Sequence, residues 1–157
     1  MSTRIRPWHL LGIVPLSAAA AVWWIKRTYV AVNVVGNSME PTLRPGARVI
    51  VRRGAGRLRT DDLVVIAEPD PISGWPASGR PAPRGLDESP WNIKRAVGMP
   101  GDPMPAGSSQ QGPVPPGHIA VKGDGRFSSD SRHFGPCPRD QILGRVVRVL
   151  RTGAPTA

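Results

Sequence analysis

Apolar positions along this chain fall into one long uninterrupted run followed by several short ones. Trp8 to Ile25 holds no formally charged residue and includes Leu10, Leu11, Ile13, Val14, Leu16, four alanines and Trp23-Trp24. Wound as a helix at 1.5 Å per residue, these eighteen residues reach about 27 Å, close to the ~30 Å hydrocarbon core of a bilayer. Lys26 and Arg27 close the run, and Trp8 and Trp23-Trp24 sit where interfacial aromatics belong. Pro15 is tolerated in a membrane helix. The pattern predicts a basic leader over 1–7 and a transmembrane anchor over 8–27. Two other readings stand beside it: a cleavable secretory signal with Ala18-Ala19-Ala20 at its cleavage site, and a buried core helix. Continuation of the apolar run through Val22-Trp23-Trp24-Ile25 argues against cleavage.

Beyond Arg27 the runs shorten and become β-branched, the signature of strands. They cover Val30 to Val35, Ala47 to Arg52, Leu63 to Ile66, Trp91 to Val97, Gly117 to Lys122 and Ile142 to Leu150. Turn signals separate them at Leu43-Arg44-Pro45-Gly46 and Met99-Pro100-Gly101-Asp102, and Gly54 to Arg59 reads as a basic loop. Residues 67–90 show no periodicity and are rich in Pro and Gly, which predicts a mobile excursion rather than a second domain. Its Trp75 is expected to be exposed, either idle or touching a membrane. Residues 103–117 are again loop-like, and 151–157 read as a disordered tail. A single β domain over 28–150 results.

Composition supports this picture. The chain has 157 residues with 18 Gly and 19 Pro, which favours a turn-rich β protein over a helical bundle. One cysteine, Cys137, excludes an intrachain disulfide or a cysteine-based zinc site. His9, His118 and His133 show no metal-ligand spacing, so neither a metal nor a cofactor is expected. Net charge is +10, carried almost wholly by Arg. Such a charge suits nucleic-acid phosphates or anionic lipid headgroups. The arginines are scattered and not interleaved with stacking aromatics, so membrane lipid is the expected partner and nucleic acid is not.

The candidate chemistry starts at Gly36-Asn37-Ser38-Met39-Glu40-Pro41-Thr42-Leu43, where a hydroxyl residue follows a β-branched run and precedes a Pro-Thr turn. Ser38 is thereby expected at a strand end, and by itself such a serine is usually inert. A serine attacks a peptide carbonyl only if a base takes its proton. Neither His118 nor His133 has the context of a triad partner, and the second Gly of a nucleophile elbow is missing. Lys94, in Asn92-Ile93-Lys94-Arg95-Ala96-Val97-Gly98-Met99-Pro100-Gly101-Asp102, lies among apolar neighbours. Burial there would lower its amine pKa toward neutrality. The plain alternative is a strand-edge lysine pointing to water.

Together with Gly123-Asp124-Gly125-Arg126-Phe127-Ser128-Ser129-Asp130-Ser131-Arg132, these segments resemble the signature boxes of the type I signal peptidases. Those are membrane-bound serine proteases that use a Ser-Lys dyad. The resemblance covers residues 8–150 apart from 67–90 and 103–113. It implies a mostly antiparallel, coiled or barrel-like β protease domain with one N-terminal transmembrane helix. It makes Ser38 the nucleophile, Lys94 the general base and Ser128 the hydroxyl that orients the amine. Arg95, Asp130 and Arg132 become an ion-paired brace, and the Ser38 backbone N–H an oxyanion donor.

Three departures accompany it. Gly36 stands where some members carry a hydroxyl that assists the oxyanion, Gly125 stands where Asn is usual, and the interval to Asp130 is about one residue short. Substrate would be an extended precursor segment laid along Val34, Val35, Gly36 and Met39 on one side and Asn92 and Ile93 on the other. Cleavage would follow small residues in an Ala-x-Ala pattern. The implied location is a single-pass membrane protein, N-terminus cytoplasmic and catalytic domain outside, with a bacterial plasma membrane favoured over an organelle inner membrane. A dedicated protease for one precursor, a relative of the self-cleaving repressor proteases, and an inactive peptide-binding module remain as alternatives.

Overall fold

The computed structural model describes residues 13–75 and 91–151, with side chains from Ala18 to Leu150. Helix α1 (Ile13–Thr28) runs directly into β1 (Tyr29–Asn33). There follow β2 (Arg48–Arg53), β3 (Leu63–Ala67), β4 (Trp91–Gly98) and β5 (His118–Lys122). A short helix α2 (Ser131–Phe134), β6 (Cys137–Pro138), a 3-10 turn (Arg139–Gln141) and β7 (Ile142–Arg151) complete the order. The strands form one curled, antiparallel seven-stranded sheet in the order β1-β2-β7-β3-β4-β5-β6. Register shifts in β2–β7, β3–β7 and β4–β5 mark bulges, which strengthen local twist and coil the sheet.

The apolar run of β3 is continuous because both of its faces are buried. Val65 belongs to one core cluster with Val34, Met39, Leu43, Val49 and Ile93. Val64 and Ile66, pointing the other way, belong to a second with Ala96, Ile119, Val121 and Ile142. Lys94 and Arg95 of β4 therefore sit over a doubly packed scaffold, which fixes their side chains.

The elements differ from expectation in identifiable ways. β1 stops at Asn33, two residues before the expected end, although the Val34 N–H bond to Ala47 O at 2.8 Å carries its pairing with the β2 side one rung further. Its side chain turns into the core while Val35 is 91% exposed. Trp75 is not idle on the surface: it packs on the second core cluster and its Nε1 donates to Gly135 O at 3.3 Å. Residues 67–75 are held down by paired Asp70–Gly74 backbone bonds of 3.0 and 2.8 Å. Residues 76–90, the rest of the expected excursion, lie outside the described residues, as do 1–12 and 152–157.

α1 spans 16 residues, about 24 Å. Among the described residues no helix is long and apolar enough to cross a membrane, so the described helix falls short of the span expected over 8–27. Val22, Trp23, Trp24 and Ile25 are each more than half exposed, and Trp24 meets the β domain edge to face at Tyr29.

Candidate active site

Ser38 lies in a tight turn that its neighbours staple into the core. Glu40 N–H bonds Asn37 O at 3.1 Å and Leu43 N–H bonds Met39 O at 2.9 Å, while the Met39 and Leu43 side chains are fully buried beneath. Gly36 approaches the turn with φ +80°, a left-handed conformation that a side chain would strain. The turn presents half-buried Ser38 at the rim of a groove of about 390 Å³. Val34, Val35 and Met39 line one side of that groove, Asn92 and Ile93 the other. Gly36, assigned to the same surface, is not part of the lining.

Strand edges flank the groove. Among the described residues β1 is the terminal strand of the sheet, and the register of β5 on β4 begins at Arg95, beyond Asn92 and Ile93. An extended peptide entering here finds main-chain donors and acceptors on both sides.

Lys94 is 3% exposed, and its Nζ donates to Ser128 Oγ at 2.7 Å. Burial holds the amine pKa below its ordinary value; Asp130 and Glu68 pull it back up, and Arg132 adds to the lowering. Ser128 is itself fixed by close packing on Gly123. A methyl group at Gly123 would overlap Ser128 Oγ and lie 2.7 Å from Ser38 O. The lysine amine, the Ser128 hydroxyl and the Ser38 backbone are thus linked through one glycine with no room to spare. Two residues on, Gly125 N–H donates to Ser38 O at 2.8 Å. A Cβ at Gly125 would lie 2.5 Å from Asn37 O, so the glycine found in place of Asn suits this close crossing.

The expected three-residue brace resolves into two separate pairs. Arg132 Nε reaches Asp130 Oδ1 at 2.9 Å, and the Asp130 carboxylate also caps α2 and accepts Gly123 N–H at 3.0 Å. Burial alone would raise the Asp130 pKa, but Arg132 and the two backbone N–H groups outweigh it and hold it below the usual value. Arg95 pairs instead with Asp124, through Nε at 2.9 Å and Nη2 at 2.6 Å. Thr42 Oγ1 donates to the same carboxylate at 2.6 Å. The Arg95 hydrogen bond holds Asp124 low, with Thr42 assisting against burial. Thr42 and Asp124 lie inside the first and third boxes, but nothing local in the sequence assigns them a role or shows that they tie those boxes to Arg95.

Neither histidine lines the groove: His118 Nδ1 rests 3.0 Å from Pro116 O, and the largely exposed His133 lies 4.0 Å from Asp130. Among the described residues no group of three His, Cys, Asp or Glu could hold a metal ion. Cys137 is buried, which pushes its thiol pKa up and leaves it inert.

The profile of a family described as signal peptidase, peptidase S26, matches residues 8–110 and 104–150. The chain is 36% identical over 124 residues to the mitochondrial ATP-independent inner membrane protease subunit 1b of Arabidopsis thaliana, covering 71% of this chain and 64% of that protein. It is 31% identical over 121 residues to the mitochondrial inner membrane protease subunit 1 of Schizosaccharomyces pombe, covering 71% and 67%. Signal peptidase I V of Bacillus subtilis is 27% identical over 181 residues, covering 90% and 96%. The chain thus spans about two thirds of the length of the first two relatives.

Proposed function

This chain belongs to the signal peptidase family, peptidase S26, and on that footing we propose that it is a membrane-anchored serine endopeptidase removing signal or leader peptides from exported precursors. Ser38 Oγ attacks the scissile carbonyl while the neutral Lys94 amine takes its proton. The resulting ammonium protonates the leaving amine, and the amine then activates the water that hydrolyses the acyl-enzyme. Ser128 orients the amine, Arg132–Asp130 and Arg95–Asp124 hold the third box in place, and the Ser38 backbone N–H stabilises the oxyanion. The groove's apolar walls at Val34, Met39 and Ile93 suit small side chains at the positions before the cut. Residues 8–27 anchor the chain, with the β domain on the extracytoplasmic face.

The observation that carries this reading is a buried lysine amine bonded to Ser128 at 2.7 Å, with Ser128 packed through Gly123 against the Ser38 carbonyl. Among the described residues no ion pair holds Lys94 and burial outweighs the pull of Asp130 and Glu68, an environment that suits a base. The test is incubation of a precursor bearing an Ala-x-Ala site with wild type and two variants. Ser38→Ala and Lys94→Arg are each expected to lose about 10⁴-fold or more in cleavage while staying folded. Cleavage surviving in Ser38→Ala removes Ser38 from the reaction, and survival in Lys94→Arg removes the lysine base. A peptide-binding module without catalysis would bind the precursor and leave it intact in every case.

A further inference from the structure

Away from the groove, positive charge is concentrated where β2 meets β7. Arg52 and Arg145 stand directly opposite each other across that ladder. Like charges in register on neighbouring strands repel, and a bound anion would relieve the arrangement. Both residues, with Arg53 and Arg57, line a second hollow of about 260 Å³. Gly54 and Gly56, also in its lining, have nothing within 4 Å of where a Cβ would stand, which leaves the hollow open. Asp62 approaches Arg145 Nη1 only at 3.4 Å. Among the described residues no ion pair engages Arg52 or Arg57.

Register also fixes what the hollow adjoins. Arg52 pairs with Tyr29, the first residue of β1, which directly follows the last residue of α1. Lys26 and Arg27 lie in that helix's last turn, beside the largely exposed Val22, Trp23, Trp24 and Ile25. An apolar helix, an aromatic pair and then a cationic hollow follow the depth order of one bilayer leaflet: hydrocarbon, interface, phosphate. We propose that Arg52, Arg57 and Arg145 bind the phosphate of an anionic phospholipid headgroup and so set how the β domain is held against the membrane. The proposal rests on the anchor reading of α1, and its test separates the two.

The full chain in neutral detergent is floated with phosphatidylcholine vesicles, which reads the anchor. It is separately titrated with phosphatidylglycerol while the thermal midpoint is followed, which reads the headgroup site. Phosphatidylglycerol is expected to raise the midpoint saturably and phosphatidylcholine is not. The double variant Arg52→Gln/Arg57→Gln is expected to need about fivefold more phosphatidylglycerol per arginine removed, while still floating with phosphatidylcholine. An undiminished response in that variant overturns the site, and an equal midpoint rise from inorganic phosphate or a short oligonucleotide overturns the lipid assignment. A saturable phosphatidylglycerol response without flotation on phosphatidylcholine upholds the site and overturns the anchor. Flotation with neutral vesicles and no phosphatidylglycerol response does the reverse.

Discussion

At the scale of single residues, the central quantity is the protonation of Lys94. Burial lowers its folded pKa from the ordinary 10.5, so the protonated form is the one the fold disfavours. Below the lowered pKa the full cost of burying the ammonium is present. As pH rises through that pKa toward 10.5 the cost disappears, so this group makes the fold more stable with rising pH in that window. Cleavage is expected to rise with pH through the same lowered pKa, because in the proposed mechanism only a neutral amine can accept the Ser38 proton. Lys94→Met is expected to abolish cleavage and to flatten the stability profile there, as read by denaturant midpoints across pH. A steep profile in Lys94→Met assigns the titration to another group. Ser128→Ala, which removes the 2.7 Å bond to the amine, is expected to lower kcat by about tenfold to a hundredfold with KM little changed. Ser38 and Lys94 stood out in the sequence because each lies in a box that is contiguous along the chain. Trp75 was not, because its partner Gly135 is 60 residues away and no local pattern records that contact.

At the scale of elements, the active-site turn and the third box form one unit held by close backbone crossing. Gly125 crosses Ser38 with a 2.8 Å hydrogen bond, and a Cβ there would be 3.1 Å from the Ser38 carbonyl carbon. Backbone cannot yield as a side-chain tip can. Gly125→Ala is therefore expected to displace the Ser38 turn, lowering kcat/KM by about a hundredfold and stability by about 1–3 kcal/mol, measured by peptide cleavage and thermal melting. The Asn usual at this position in the resembling proteins is larger still, so the departure goes with the tight crossing in this chain. Arg95–Asp124–Thr42 is the second tie, joining β4, the segment after β5 and the Ser38 turn. Asp124→Asn is expected to cost about 1–3 kcal/mol and to weaken cleavage through looser positioning, detectable as a kcat loss larger than the KM change. The strands themselves were readable from β-branched runs, with ends displaced where tertiary contacts decide. Val34 bonds Ala47 one rung past β1 and turns its side chain into the core, while Val35 swings out to solvent, a break that no propensity scale contains. α2 and β6 escaped notice because a four-residue helix capped by Asp130 and a two-residue strand are too short to carry a period.

At the scale of the whole molecule, the two core clusters draw their members from residues 34–143, and none of their buried side chains comes from α1. The helix meets the domain chiefly at β1 and the start of its pairing with β2, where Tyr29 faces Arg52 and the Trp24 and Tyr29 rings touch edge to face at 6.3 Å. Attachment of that kind transmits position but contributes little to folding. Cutting the chain before Thr28 removes the exposed Trp23 and Trp24 while leaving every buried residue its neighbours. Deletion of residues 1–27 is therefore expected to yield a soluble domain whose thermal midpoint stays within a few degrees of the full chain, since the two cores that set stability are untouched. Cleavage of a short water-soluble peptide should be kept, because groove, lysine and third box all lie in the retained part. Cleavage of a membrane-embedded precursor should fall sharply, because the anchor no longer concentrates enzyme and substrate on one surface. A truncated domain that still floats with neutral vesicles would assign membrane binding to the β domain. One that loses soluble-peptide cleavage together with the helix would show that α1 shapes the groove rather than delivering it to its substrate.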